Sequence, residues 1–489
     1  MHTHKIHIII KNIQMRFYLF LLFYALPYLA FGQGTLQDIL TEMAKSPFYL
    51  HANLGIAVQD VTDRKVIADI NKDKLFIPAS TIKLITTLSA RHLLGENYRF
   101  TTGLYYDGTI TDEGTLQGNI YIIGNGDPTL GSSRISGNPT MEMILHIFAE
   151  RITQAGIRCI EGEVIAIAKE NMEPPIGDSW QWNDLGNYYA TGAWSINVNE
   201  NLYNIYYNHD MEPGEKAQIS YIEPYIPRLM IESHVTTDSA HTADNAYIFG
   251  APFTYDRFIK GTIPQGKGLF KIKGSIPNPP LFFAYRLYAL LHHMGISVDN
   301  YNTESTKKDG LTCIFEHSSP PLKDIIKITN DQSNNLYAEA TLKALGGKDI
   351  TENVQIMHDN LQSMGLDTYP FNMEDGSGLS PRNLISPDLM ASFLAKQSQY
   401  LGDVDFKNIL PTVGESGTVK NMLGNSPAKG RMWIKSGSME KILCYAGYAR
   451  AASGRLITFA VFLNNSQAKT FKENKTELEK IIDTIYRFS

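Results

Sequence analysis

The two ends of this chain carry matching strand patterns, and that match limits the fold more than any other feature of its 489 residues. Near the front, Leu54 to Val61 and Lys65 to Ile70 read as strands joined by the turn residues Thr62-Asp63-Arg64. A helical pattern precedes them over Thr35 to Ser46, with Leu36, Ile39, Leu40 and Met43 on one face. At the back, Arg431 to Lys435, Leu443 to Ala451 and Leu456 to Asn464 read as three more strands. The amphipathic helix Phe471 to Phe488 follows, with Leu478, Ile481, Ile482 and Ile485 as its apolar stripe. Two strands in front and three behind imply one five-stranded antiparallel sheet flanked by helices, in an α/β (α+β) domain. Both ends of the chain build that domain and the middle interrupts it.

The middle has a different character. From about Arg99 the chain turns to short strands, as in Phe100 to Gly108 and Asn119 to Gly124, with one helix near Met141 to Ala155. Helical patterns return at Phe282 to Met294, and another helix is expected to start near Ser333. The expected division is therefore 33–98 plus 281–489 for the discontinuous domain and 99–280 for a β-rich insert. A second subdomain is expected inside the insert, near 175–245. A chain of this length exceeds what one core serves, so more than one domain is required.

Residues 1–32 read as a secretory signal. Lys5, Lys11 and Arg16 precede the apolar run Phe17 to Phe31, and Ala30-Phe31-Gly32 offers small residues for cleavage near Gln33, with Met15 an alternative start. A membrane anchor is the competing reading, but the run is short and Pro27 breaks it. No later stretch has the length of a transmembrane helix. A net charge of -6 without basic runs gives no reason to expect nucleic acid. Cys159, Cys313 and Cys444 are odd in number and far apart, so no disulfide framework is indicated. No His-x-x-x-His or Cys cluster points to a metal, and His292-His293 reads as surface or packing, so no cofactor is expected.

Three short motifs carry the chemistry. In Ile77-Pro78-Ala79-Ser80-Thr81-Ile82-Lys83, Pro78 suits a helix entrance and places Ser80 at a helix start. Lys83, three residues on, shares that face, so hydroxyl and amine form a candidate nucleophile and base. Ser-x-x-Lys recurs at Ser305, Ser426, Ser438 and Ser466, so spacing alone does not single out Ser80. The second motif, Ser333-Asn334-Asn335, lies before an apolar helical run. The third, Lys435-Ser436-Gly437-Ser438, ends the strand from Arg431 and is the only Lys-Ser/Thr-Gly in the chain.

In this order the trio resembles the serine acyltransferases of the penicillin-binding class. In such a site Ser80 attacks an amide carbonyl after giving its proton to a neutral Lys83, whose pKa must be lowered by burial beside cations such as Lys435. Ser333 relays a proton to the leaving amine, and Asn335 orients Lys83 and binds the substrate amide. The N–H groups of Ser80 and Ser438 form the oxyanion hole, while Lys435, Ser436 and Ser438 hold a substrate carboxylate.

Further stretches are similar to the D-alanyl-D-alanine carboxypeptidase/endopeptidase family, the low-molecular-mass class C penicillin-binding proteins. They are Gly124-Asn125-Gly126-Asp127-Pro128-Thr129-Leu130, Lys273-Gly274-Ser275-Ile276-Pro277, Asp375-Gly376-Ser377-Gly378-Leu379-Ser380, and Leu410-Pro411-Thr412-Val413-Gly414 with Gly417-Thr418. The resemblance implies a transpeptidase-like domain interrupted by a large insert, an acyl-serine reaction on peptidoglycan stem peptides in the periplasm, and acylation by β-lactams. It also implies that Asp184 and Tyr189 grip the amino end of a diaminopimelate side chain, with Met439 and Glu440 lining that pocket, and that Gly437 binds substrate together with Ser436 and Ser438. Ser436 stands where many relatives have Thr, Asn125 replaces a usual Gly, and Pro381 precedes Arg382 where some relatives place Arg directly. Two other readings remain at this stage: a non-catalytic peptidoglycan-binding scaffold and a β-lactam hydrolase.

Overall fold

The computed structural model describes residues 34–168, 175–305, 309–402 and 406–489. The leader read from the sequence lies outside the described residues. Five strands form the antiparallel sheet expected from the two chain ends, in the order Met432–Met439, Ile442–Arg450, Leu456–Asn464, Asn53–Asp60 and Val66–Ile70. The seam between the ends pairs Ala57 with Ala460 and Val58 with Phe459. Both faces of this sheet are covered, which is why its central strands read as nearly continuous apolar runs.

One face packs on Leu36–Ala44 and Phe471–Phe488, through Ile56, Val58, Phe459 and Val461 against Leu478, Ile481, Ile482 and Ile485. The other packs on a second layer that contains Lys83–Leu94, Leu322–Gln332, Asn335–Lys343 and Pro387–Leu401. Lys83–Leu94 is central to this layer and is buried without a break from Lys83 to Ala90. Each buried side chain of Leu or Ile there contributes about 1.5–3 kcal/mol through area removed from water.

The insert holds a seven-stranded mixed sheet and two three-stranded sheets around a large core, with a smaller cluster of Tyr121, Ile123, Ile165 and Ile167 beside it. Strand pairing moves the chain's return to the first domain. Helix Pro279–His293 packs in the insert core rather than beyond it. Ser297–Glu304 then pairs with Cys159–Ile167, and Thr312–Ser318 pairs with Thr101–Tyr106. The return therefore falls at Leu322 and not at 281. Those two strands lie largely exposed, with weak apolar alternation, so hydropathy left them unread. The two smaller sheets span Leu202–Ser275, later than the nested unit expected near 175–245. Among the described residues no helix is long and apolar enough to cross a membrane.

Candidate active site

Ser80 does not open the long helix as expected. It sits on a separate 3-10 turn, Ala79–Ile82, and the α-helix begins at Lys83. With three residues per turn, this geometry stacks positions 80 and 83 directly above one another. Lys83 Nζ lies 2.9 Å from Ser80 Oγ and 2.6 Å from Asn335 Oδ1, and donates to the carbonyl of Ser377.

These partners fix what a neutral Lys83 does. Asn335 is oriented by its own Nδ2, which donates to the Tyr189 carbonyl at 2.8 Å, so Oδ1 faces the amine. Asn335 Oδ1 and the Ser377 carbonyl only accept, and a neutral amine has two N–H groups for them. Its lone pair is left for the third partner, the Ser80 hydroxyl. Burial is the main cause that pulls Lys83 down to about 7, while the carboxylates of Asp375 and Glu339 oppose it. Burial acts as expected, while the charges that act on Lys83 are these two carboxylates rather than the expected cation Lys435. Neither acid was singled out from sequence.

Asp375 is itself fully engaged, accepting from the N–H groups of Gly378 and Ser380 and from Asn383 and Trp180. Glu339 accepts from the N–H of Ser377 at 2.7 Å and of Gly376 at 3.2 Å. The two carboxylates thus shape the Asp375 to Ser380 loop that hands its Ser377 carbonyl to the amine. Gly378 permits the fit, since a Cβ there would stand 2.0 Å from the Ala79 carbonyl.

Ser333 is not simply a cap before a helix. It joins two helices, Leu322–Gln332 and Asn335–Lys343, in the left-handed region at φ 56°, and Asn334 caps the second. A non-glycine residue holds that conformation at some cost, and the turn aims its side chain into the cleft. There Lys435 Nζ donates to Ser333 Oγ at 2.9 Å. Lys435 is held well below its usual range, first by burial and then by the Lys83 charge, with Asp331 opposing.

The third motif lies within its strand rather than at the strand's end, because pairing continues from Met432 to Met439. This strand is the sheet edge. Arg450 N donates to the Arg431 carbonyl, whereas Ile434 N donates outward to Pro411. By the alternation of an antiparallel ladder, the N–H groups of Ser436 and Ser438 also face outward. Gly437 lets the strand press on the turn Ala79–Ile82, since a Cβ would stand 2.8 Å from both Ser80 N and Thr81 N. Ser436 Oγ bonds Thr418 Oγ1 at 2.7 Å, which adds a hydroxyl that sequence reasoning had quoted without a role.

Asp184 and Tyr189 come together, with Tyr189 Oη donating to Asp184 Oδ1 at 3.1 Å. Burial raises the Asp184 carboxyl, and the Tyr189 bond opposes that rise. Tyr189 also accepts from Asn335 Nδ2 through its carbonyl. Met439 instead packs, partly buried, against the core of the first domain, and Glu440 is exposed on the following turn.

A mixed domain with an antiparallel five-stranded sheet, carrying a serine hydroxyl against a buried amine at the sheet edge, defines a serine peptidase of the penicillin-binding fold. Solved structures share this fold. Penicillin binding protein 4 (dacB) from Haemophilus influenzae superposes with a TM-score of 0.77 at 21% identity, covering 91% of this chain and 97% of that one. A predatory peptidoglycan endopeptidase from Bdellovibrio bacteriovorus gives 0.51 at 18%, covering 89% and 92%. In sequence, D-alanyl-D-alanine carboxypeptidase DacB of Haemophilus influenzae is 23% identical over 452 residues, 89% of this chain and 92% of that one. Penicillin-sensitive carboxypeptidase A of Dictyostelium discoideum is 26% identical over 449 residues, 86% and 83%. The chain belongs to the D-Ala-D-Ala carboxypeptidase 3 (S13) family, whose pattern matches residues 36–485.

Proposed function

We propose that this enzyme removes the terminal D-alanine of peptidoglycan stem peptides, and cuts the related cross-link, by acylation of Ser80. The observation that carries this reading is the Lys83 contact set, which leaves a lone pair for the Ser80 proton. Ser80 Oγ attacks the carbonyl of the penultimate D-alanine as its proton passes to Lys83 Nζ. The new oxyanion meets the N–H groups of Ser80 and Ser438, a contribution of about 3 kcal/mol per donor.

The C–N bond then breaks, and the leaving amine takes a proton through Ser333 from the lysine pair. Water, deprotonated by Lys83, hydrolyses the ester and restores Ser80. The substrate's terminal carboxylate lies by Lys435, Ser436 and Ser438, where its charge favours the protonated form of Lys435. The edge strand adds main-chain hydrogen bonds to the extended peptide, with Gly437 keeping it close to Ser80. The half-buried carboxyl of Asp184, with no ion-pair partner among the described residues, supports a place for a substrate ammonium beside Tyr189.

β-Lactams present the same carbonyl beside the same carboxylate, so they acylate Ser80. The basic and apolar leader over residues 1–32 supports export to the periplasm with cleavage near Gln33. The test is release of free D-alanine from a pentapeptide stem that ends in D-alanyl-D-alanine. The wild type releases it, and Ser80→Ala lowers the rate by about a thousandfold or more. Equal rates in the two proteins would contradict the assignment, and a wild type that binds the stem without release would make the chain a scaffold.

A further inference from the structure

The cleft does not stop at the catalytic cluster. A cavity of about 370 Å³ runs from Ser333 and Asn335 across to the insert strand Leu269–Ser275. That strand lines it with Lys271 and Lys273, whose spacing puts both on one face. Arg134 lines the cavity too, and so do two acids, Glu200 and Asp244.

The acids do not cancel the lysines. Glu200 is occupied by Arg134 and by Ser132 Oγ, 2.9 Å away. Asp244 accepts from the N–H of Ala246 at 3.0 Å, and burial raises its carboxyl. Among the described residues neither Lys271 nor Lys273 has an ion pair. Lys273 is half-buried, and burial first, then the charges of Arg134 and Lys271, hold it below its usual range while Glu200 opposes. Unpaired lysines on a sheet face are usually solvated stems. These two share a cavity with Ser333 and Asn335, and a bound anion would relieve their mutual repulsion.

The direction of the ligand follows from the walls. No residue of the edge strand Met432–Met439 lines this cavity, so the leaving D-alanine is elsewhere. What reaches past Asn335 is the part of the peptide that stays on the serine. We propose that Lys271 and Lys273 form a subsite for a carboxylate on the acyl side of the peptide substrate, so that the enzyme selects stems bearing a free acid upstream of the cleaved bond. This rests on the acyl-serine reading above.

The probes are peptides ending in D-alanyl-D-alanine that carry a carboxylate one, two or three residues upstream, each paired with its carboxamide analogue. Within each protein the readout is the ratio of kcat/KM for acid over amide. The wild type favours the acid at one position at least by about fivefold, and added salt lowers that ratio. In K271Q/K273Q the ratio falls to near one. A wild-type ratio near one at all three positions overturns the subsite, as does a preference that survives in the double variant. Should the variant fail to fold, the wild-type ratio and its salt dependence still decide. Cleavage of neither peptide, without labelling of Ser80 by benzylpenicillin, would instead overturn the acyl-serine reading.

Discussion

At the scale of single residues, the site turns on the charge of Lys83. A base must be neutral before it accepts a proton, and burial holds this amine near neutrality at about 7. Acylation by benzylpenicillin is therefore expected to rise with pH through about 7, falling about tenfold per unit well below it. Lys83→Arg, which cannot lose its proton, should abolish the rise and slow acylation at least about a hundredfold. Stopped-flow acylation between pH 5 and 9 checks both, and a flat wild-type profile would remove Lys83 from the role. Stability has its own sign. The folded pKa of Lys83 lies below that of the unfolded chain, so the unfolded state holds more protons between about 7 and 10.5, and stability increases with pH across that window. The pair Ser80 and Lys83 was legible because its spacing is local. The parts played by Ser377, Asp375 and Glu339 were not, because the Ser377 carbonyl, 294 residues away in the chain, reaches the amine only when its loop, held by Glu339 from another helix, folds back beside Ser80.

At the scale of elements, two short devices bring the motifs within reach. A 3-10 turn stacks hydroxyl over amine, and an edge strand passes close enough to Ser80 to offer its outward N–H groups. Gly437→Ala tests the second. The added methyl would collide with main-chain atoms of Pro78, Ser80 and Thr81, which cannot move aside like a side-chain tip. Acylation should fall by about a hundredfold or more, while the melting temperature drops by only a few degrees, as for a local shift of about 1–2 kcal/mol. A variant acylated at the wild-type rate would show that strand and turn need no such approach. The Lys-Ser-Gly-Ser run and the strand leading into it were readable, but the continued pairing through the run was not, since Ser436 to Ser438 have little strand propensity and pair because Leu443 to Tyr445 lie opposite them. Helix Leu322–Gln332 escaped notice although Leu322, Ile325 and Ile326 carry its spacing. The left-handed Ser333 between two helices is a tertiary outcome with no local signature.

At the scale of the whole molecule, the catalytic sheet closes only when the first and last strands meet. That closure was legible from the two matching ends. The insert's hold on the site was not. Tyr337 Oη donates to Ser132 Oγ, Ser132 bonds Glu200, and Arg134 bridges Glu200 to Gln332. Insert residues thus grip both helices around Ser333, and Tyr189 orients Asn335 from the same side. Convergence of Ser80, Lys83, Ser333, Asn335 and Lys435 from distant parts of the chain is the central claim. Mass spectrometry of the benzylpenicillin-treated protein tests it most directly: one covalent penicilloyl group on the peptide that contains Ser80, absent from Ser80→Ala, is the predicted result. An unmodified wild type, or an adduct on another residue that persists in Ser80→Ala, would contradict it.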